Sequence, residues 1–293
     1  MNSATGDFFG GTTPATVGAL RREPAPSVDQ VEFVGRMWYP EPAPSTGAKT
    51  PAALSGIAPF EAAWMRLAGE HIGLSYPGAE FAVFDDLSFE LNEPGFHAIF
   101  GPSGVGKTSL ARIITGDIPA EGRVRTEDVS GILYCYNLER LPGWSSVGRH
   151  LERVSLPEKA ERKEALIEAF GLAECMGARF QSLSLGQQNR VNLLRYLLQD
   201  FQVLIMDESL ANVDEKTRGR ILITIKALYP EAIFLYISHN VVEVSTYCRR
   251  ILVLRDRYRS PRCLTIDGVD HRSATEPSRG QVEPVMLEIM NAA

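Results

Sequence analysis

Three runs in the second half of the chain are apolar at every position and each stops at polar residues: Val203–Met206, Ala232–Ile237 and Ile251–Leu254. Runs this short and this uniform predict strands buried on both faces of a parallel sheet. A fourth run, His97–Phe100, is similarly short, and Gly131–Tyr136 is a further strand candidate. Between these runs the spacing becomes helical. A helix is predicted over 108–115, with Gly116 placed as its C-terminal cap. The whole stretch from Ser145 to about Gln181 reads as helical. Within it, Pro157–Phe170 has proline at its start, early acids, an apolar face through Leu166, Ile167 and Phe170, and Gly171 after it. Val191, Leu194, Leu197 and Leu198 share one face of a helix opened by Ser182–Gln188, and Ile221, Ile225 and Leu228 share a face of another. Ahead of His97 the pattern is that of half-buried strands. Arg66–Tyr76 alternates loosely, Phe81–Phe84 follows, and Leu87, Phe89 and Leu91 alternate with polar residues before the turn Asn92–Gly95. The expectation is an α/β fold: a mostly parallel sheet flanked by helices, an antiparallel β subdomain leaning on it, and an inserted α-helical subdomain over about 138–186.

The ends of the chain do not share this pattern. Residues 1–64 carry prolines at 14, 24, 26, 40, 42, 44, 51 and 59 among Ala, Gly, Ser and Thr, a density that breaks helix and sheet alike. They read as an extended, weakly ordered arm with one apolar island, Val31–Tyr39, suited to docking on the main domain or a partner. The globular domain is expected over 65–267, followed by a polar tail over 268–293 with a short apolar run, Val285–Met290. Apolar content of 44% and charged content of 23% are ordinary for a globular chain, and a net charge of −6 argues against a protein that grips nucleic-acid backbone. The four cysteines show no C-x-x-C spacing, so they read as plain thiols rather than zinc ligands. No stretch of 18 apolar residues spans a bilayer, and the N-terminus lacks the features of a signal peptide. The expectation is a cytoplasmic location, with any membrane role exercised through a partner.

One motif gives this framework a chemistry. Gly101-Pro102-Ser103-Gly104-Val105-Gly106-Lys107-Thr108 fills every defined position of G-x-x-x-x-G-K-[ST]. Glycines let the backbone curl so that its N–H groups face phosphate oxygens. Lys107 supplies a point charge to the β- and γ-phosphates, and the Thr108 hydroxyl is placed to hold Mg²⁺. The required context, strand before and helix after, is present, and the helix dipole favours an anion at that end. In an open parallel sheet, ligands sit outside the carboxyl ends of the strands. The loop, Asp207-Glu208 and His239 each follow an apolar run, so all are expected at one edge. Asp207 suits Mg²⁺, Glu208 can orient and deprotonate an attacking water, and His239 can hydrogen-bond the γ-phosphate or that water.

In their order these residues resemble the nucleotide-binding subunit of ABC (ATP-binding cassette) systems over about 66–265. Gly101–Thr108 matches the Walker A motif. Leu183-Ser-Leu-Gly-Gln187 resembles the signature L-S-G-G-Q, Met206–Glu208 ends a Walker B strand, Ala211–Asp214 sits where the D-loop lies, and His239 matches the switch histidine. Tyr76, about 25 residues before the loop, matches the aromatic that stacks on adenine. The resemblance implies a P-loop NTPase core and ATP with Mg²⁺ as ligands, cradled by residues 101–108 and Ser109. It also implies a head-to-tail pair, homodimer or heterodimer, in which Ser184, Gly186 and Gln187 of one chain cap the γ-phosphate held by the other. ATP closes the pair, hydrolysis opens it, and the movement passes to a transmembrane permease on the inner face of the membrane.

Two positions depart from the family. Tyr136 stands where a glutamine is expected, and Asn137 beside it is a shorter amide that can substitute in the Mg²⁺ shell; that glutamine also contacts the transmembrane partner in the family. Leu185 replaces the first glycine of the signature while Gly186 is kept. The missing glutamine motivates an alternative, a soluble ATP-switched clamp or regulator. Against it, the insertion of about 40 residues is too short for long coiled-coil arms, and the chain is acidic with one cassette. A degenerate cassette paired with a competent second subunit is a third reading, opposed by the intact Glu208 and His239.

Overall fold

A computed structural model of the chain describes residues 65–293, apart from 137, 138, 140–142, 274 and 276. The proline-rich arm with its Val31–Tyr39 island, and Asn137, therefore lie outside the described residues. Six strands form the central sheet in the order β5 (Ile132–Cys135), β6 (Val203–Asp207), β7 (Ile233–Ile237), β3 (Gly95–Phe100), β8 (Arg250–Leu254) and β9 (Cys263–Asp267). The first five are parallel and β9 runs antiparallel at the edge. The uniform apolar runs are explained by two cores, one on each face of this sheet. Phe96, Ala98, Leu204, Met206, Phe234, Tyr236, Ile251 and Val253 face one way, and Ile99, Val203, Ile205, Ile233, Leu235, Ile237, Leu252 and Leu254 the other. Because side chains alternate across a strand, both parities must be apolar when both faces are covered.

The second face is covered by helix α1 (Lys107–Ile114) and by a three-stranded antiparallel sheet, β2 (Phe84–Leu91), β1 (Arg66–Leu74) and β4 (Glu121–Glu127) in that order. The strand β4 escapes the sequence pattern, because EGRVRTE is exposed at six of its seven positions. Its strand character comes from pairing along β1, from Arg66↔Glu127 to Gly73↔Glu121. The helix α1 ends as its sequence requires. Gly116 is left-handed at φ 78, and the amides of Gly116 and Asp117 return to Ile113 and Arg112 at 3.0 and 2.8 Å, a Schellman motif.

The opposite face carries α2 (Val147–Val154), α3 (Ala160–Ala169), α4 (Leu185–Leu197), α5 (Glu215–Leu228) and α6 (Val241–Tyr247). The first two, with short 3-10 turns at 157–159, 173–175 and 180–182, lie between β5 and β6, where the helical insertion was expected. The last stretch differs from a plain polar tail. Residues Arg279–Ala292 form α7, which packs on α6 and β9 and buries Val282 and Ile289 in spite of an internal Pro284. All four cysteines are free, and Cys135, Cys175 and Cys248 are buried. No helix among the described residues is long and apolar enough to cross a membrane.

Candidate phosphate-binding site

The 101–108 loop joins the central strand β3 to α1. Three of its glycines adopt backbone angles that favour glycine: Gly101 at φ 154, Gly104 at φ 80 and Gly106 at φ 107. At Gly106 space adds a second constraint, since a Cβ there would lie 2.6 Å from the Phe84 ring and 2.7 Å from Val83. Gly106 is the N-cap of α1 and brings no side chain to the helix amides. Those amides therefore face outward unpartnered by a cap, at the positive end of the helix dipole. The Lys107 amine lies along the loop, donating to the carbonyls of Gly101 and Pro102 at 2.8 and 2.9 Å. Burial lowers its pKa below the ordinary lysine value, and the carboxylates of Glu208 and Asp207 oppose that shift.

The end of β6 brings the acids to this loop. Asp207 Oδ2 accepts from Thr108 Oγ1 at 3.0 Å and from the Tyr134 hydroxyl at 2.5 Å. Glu208 is left-handed at φ 48, a conformation that costs a non-glycine residue on the order of 1 kcal/mol and is found where a site requires it. Its Oε1 lies 3.3 Å from Nδ1 of His239, which follows β7. The structure thus gathers the loop, Thr108, Asp207, Glu208 and His239 at the carboxyl edge of adjacent strands. Thr108 and Asp207 are hard oxygen donors, the set a small divalent cation takes when it also draws on phosphate and water. Tyr76 lies beyond β1, 41% exposed, with its hydroxyl 3.0 Å from Ser109 Oγ on α1.

Ser184, Gly186 and Gln187 sit at the start of α4. Ser184 is the N-cap; its Oγ accepts from the Gln187 amide at 3.3 Å, and the Gln187 side chain accepts from the Ser184 amide at 2.9 Å. This is a capping box, and its S-x-x-Q spacing was readable in the sequence. Gly186 packs against the 211–214 turn: a Cβ on it would meet the Asn212 carbonyl at 2.4 Å. Leu185 projects outward, 56% exposed.

Residues 84–211 match the family model described as ABC transporter. Over that segment the chain is similar to the ATPases of ABC transporters. It is 29% identical to an sn-glycerol-3-phosphate import ATP-binding protein of Chromobacterium violaceum, over 64% of this chain and 56% of the relative. It is 27% identical to an oligosaccharides import ATP-binding protein of Bacillus subtilis, over 76% and 69%. A spermidine/putrescine import ATP-binding protein of Rubrobacter xylanophilus is 32% identical over 60% and 52%. The chain thus spans about half to two thirds of the length of these relatives. Among solved structures, a bacterial Atm1-family ABC exporter with ATP bound shares the fold at TM-score 0.58 and 20% identity, over 71% of this chain and 39% of that one.

Two supports of this site carry no motif in the sequence. Glu243 is buried beside the turn that carries His239 and accepts from the hydroxyls of Tyr236 and Ser238 at 2.8 and 3.0 Å. Arg218 joins it at 3.4 Å and also reaches the Val213 carbonyl at 2.6 Å, so the turns carrying Asp214 and His239 share one anchor. The only sequence signal is the N-cap pair Asn240 and Glu243, three residues apart. The other support is Tyr134. The residue aligned with the family glutamine, Tyr136, instead donates to Asp117 Oδ2 at 2.9 Å.

Proposed function

We propose that the chain binds ATP with Mg²⁺ and hydrolyses it in a head-to-tail pair that drives a separate transmembrane permease. The observation that carries this reading is the convergence of the 101–108 loop, Asp207, Glu208 and His239 on one sheet edge. Backbone amides of Gly101, Pro102, Ser103, Gly104, Val105 and Gly106, with Lys107, Thr108 and Ser109, receive the phosphates. Tyr76 offers a flat face to the base. Thr108 and Asp207 hold Mg²⁺, which when bound neutralises charge on the phosphate oxygens. Glu208 accepts a proton from the attacking water, and His239, against the Glu208 carboxylate, positions that water or the γ-phosphate. Ser184, Gly186 and Gln187 serve the nucleotide of the partner.

Residues 65–267 act as the nucleotide-binding domain, with 1–64 an N-terminal extension, and the chain sits on the cytoplasmic face of the membrane through its permease. The names of the relatives, import ATP-binding proteins, support a transporter over a clamp. The test is Glu208→Gln. Removing a general base lowers turnover by about 100-fold or more, and the variant retains ATP and accumulates as a dimer in sedimentation velocity. Wild-type turnover in Glu208→Gln would overturn the assigned base.

A further inference from the structure

The strand β5 delivers a hydroxyl, rather than an amide, to the acid of the phosphate site. Tyr134 is on the α1 side of the sheet, packed with Leu110, Ala111 and Ile205, and only 6% exposed. Its ring lies 4.2 Å from that of Tyr136, which is itself tied down by Asp117. The hydroxyl at the end of this wedged ring has little freedom. It donates to Asp207 Oδ2 at 2.5 Å, the same oxygen that accepts from Thr108 at 3.0 Å, and it also interacts with the Thr108 hydroxyl. Hydroxyls from β5 and α1 therefore converge on one carboxylate oxygen of β6. Oδ2 thus accepts two hydrogen bonds, which restrain the carboxylate from two sides. A hydroxyl that donates to a carboxylate also keeps its lone pairs for a cation.

We propose that Tyr134 is a positioning residue for the metal: its hydrogen bond holds Asp207 in the orientation that, together with Thr108, receives Mg²⁺. This rests on reading the 101–108 loop as a Mg²⁺·ATP site. Tyr134 takes over from β5 an orienting task for which Tyr136, turned toward Asp117, offers no group. Partners that orient a metal ligand without touching the metal are worth about 10- to 100-fold in metal affinity. Tyr134 thus governs how tightly the cation is held and leaves the grip on the phosphates to the loop.

The test separates metal from nucleotide, using the full-length chain and Tyr134→Phe, which keeps the ring and removes only the hydroxyl. ATP affinity is measured in EDTA by calorimetry, and Mn²⁺ binding to the ATP-loaded protein by electron paramagnetic resonance. The expected result is Mn²⁺ affinity about 10-fold weaker in Tyr134→Phe, with ATP affinity in EDTA unchanged within twofold. Tyr136→Phe is expected to keep wild-type Mn²⁺ affinity. In an Asp207→Asn background, Tyr134→Phe is expected to add no further loss, because its effect runs through Asp207. Wild-type Mn²⁺ affinity in Tyr134→Phe would overturn the proposal. So would an equal loss of ATP binding in EDTA, which would mark Tyr134 as a packing residue. A wild-type chain that binds no ATP in EDTA would instead remove the phosphate-site reading itself, and the proposal with it.

Discussion

Helices α1 and α4 both begin next to glycine in residues assigned to ATP, yet their first turns are finished in opposite ways. At α1 the N-cap is Gly106, left-handed, with no side chain for the helix amides. At α4 the N-cap is Ser184, extended, and a reciprocal Ser184–Gln187 box satisfies two backbone donors within the chain. The glycines differ in the same sense. Gly106 admits the Val83 and Phe84 side chains beneath a curled loop, whereas Gly186 admits the carbonyl of Asn212 in its own chain. An uncapped helix end leaves its donors for a ligand; a capped one has little left to give alone. This contrast suits α1 to an anion bound by the chain itself, and under the proposed head-to-tail pairing α4 would offer its outward dipole and side chains to the nucleotide of a second chain.

The largest break in this comparison is Gly106→Ala. Left-handed strain and overpacking against Phe84 together cost about 4 kcal/mol, read as lower urea stability and weaker ATP binding; a neutral outcome would mean the loop does not need its observed backbone. Next comes acid. Burial on β3, helped by the charges of Arg249 and Arg250 and opposed by the hydrogen bond to the Glu93 carbonyl, lowers His97 from 6.5 to about 4. The unfolded chain takes up a proton below about pH 6.5 while the folded chain resists until about pH 4. The stability His97 provides is thus full above pH 6.5 and is lost as pH falls through that window, about 3 kcal/mol in total. Urea unfolding from pH 7.5 to 4.5 should show this slope, and His97→Leu should flatten it. The smallest effect is Ser184→Ala, which removes the cap of α4 at about 1 kcal/mol of stability without nucleotide. A change under a few tenths would show that the box does not hold that turn.

Much of the fold was legible because two-sided burial leaves no polar positions. The runs of β6, β7 and β8 need no context, and Gly116 announces the end of α1. The rest depended on partners the sequence does not show. The residues of β4 become a strand only beside β1, and α7 exposes Leu287 and Met290 while burying Val282 and Ile289, which blurs its period. At the candidate site, the loop, Asp207, Glu208 and His239 could be placed because each follows a strand. Tyr134 and Glu243 could not, since each acts on a residue far away in sequence or behind a turn. The parity of β5, which puts Ile132 and Tyr134 on the α1 side, was the available clue.

The most direct test of the central claim is a calorimetric titration of Mg²⁺·ATP into the wild-type chain and Lys107→Ala. The account predicts one nucleotide per wild-type chain and, from the loss of a charge contact to the phosphates worth about 3 kcal/mol, roughly 100-fold weaker binding in the variant. No saturable heat with the wild type, or equal affinity in Lys107→Ala, would contradict it.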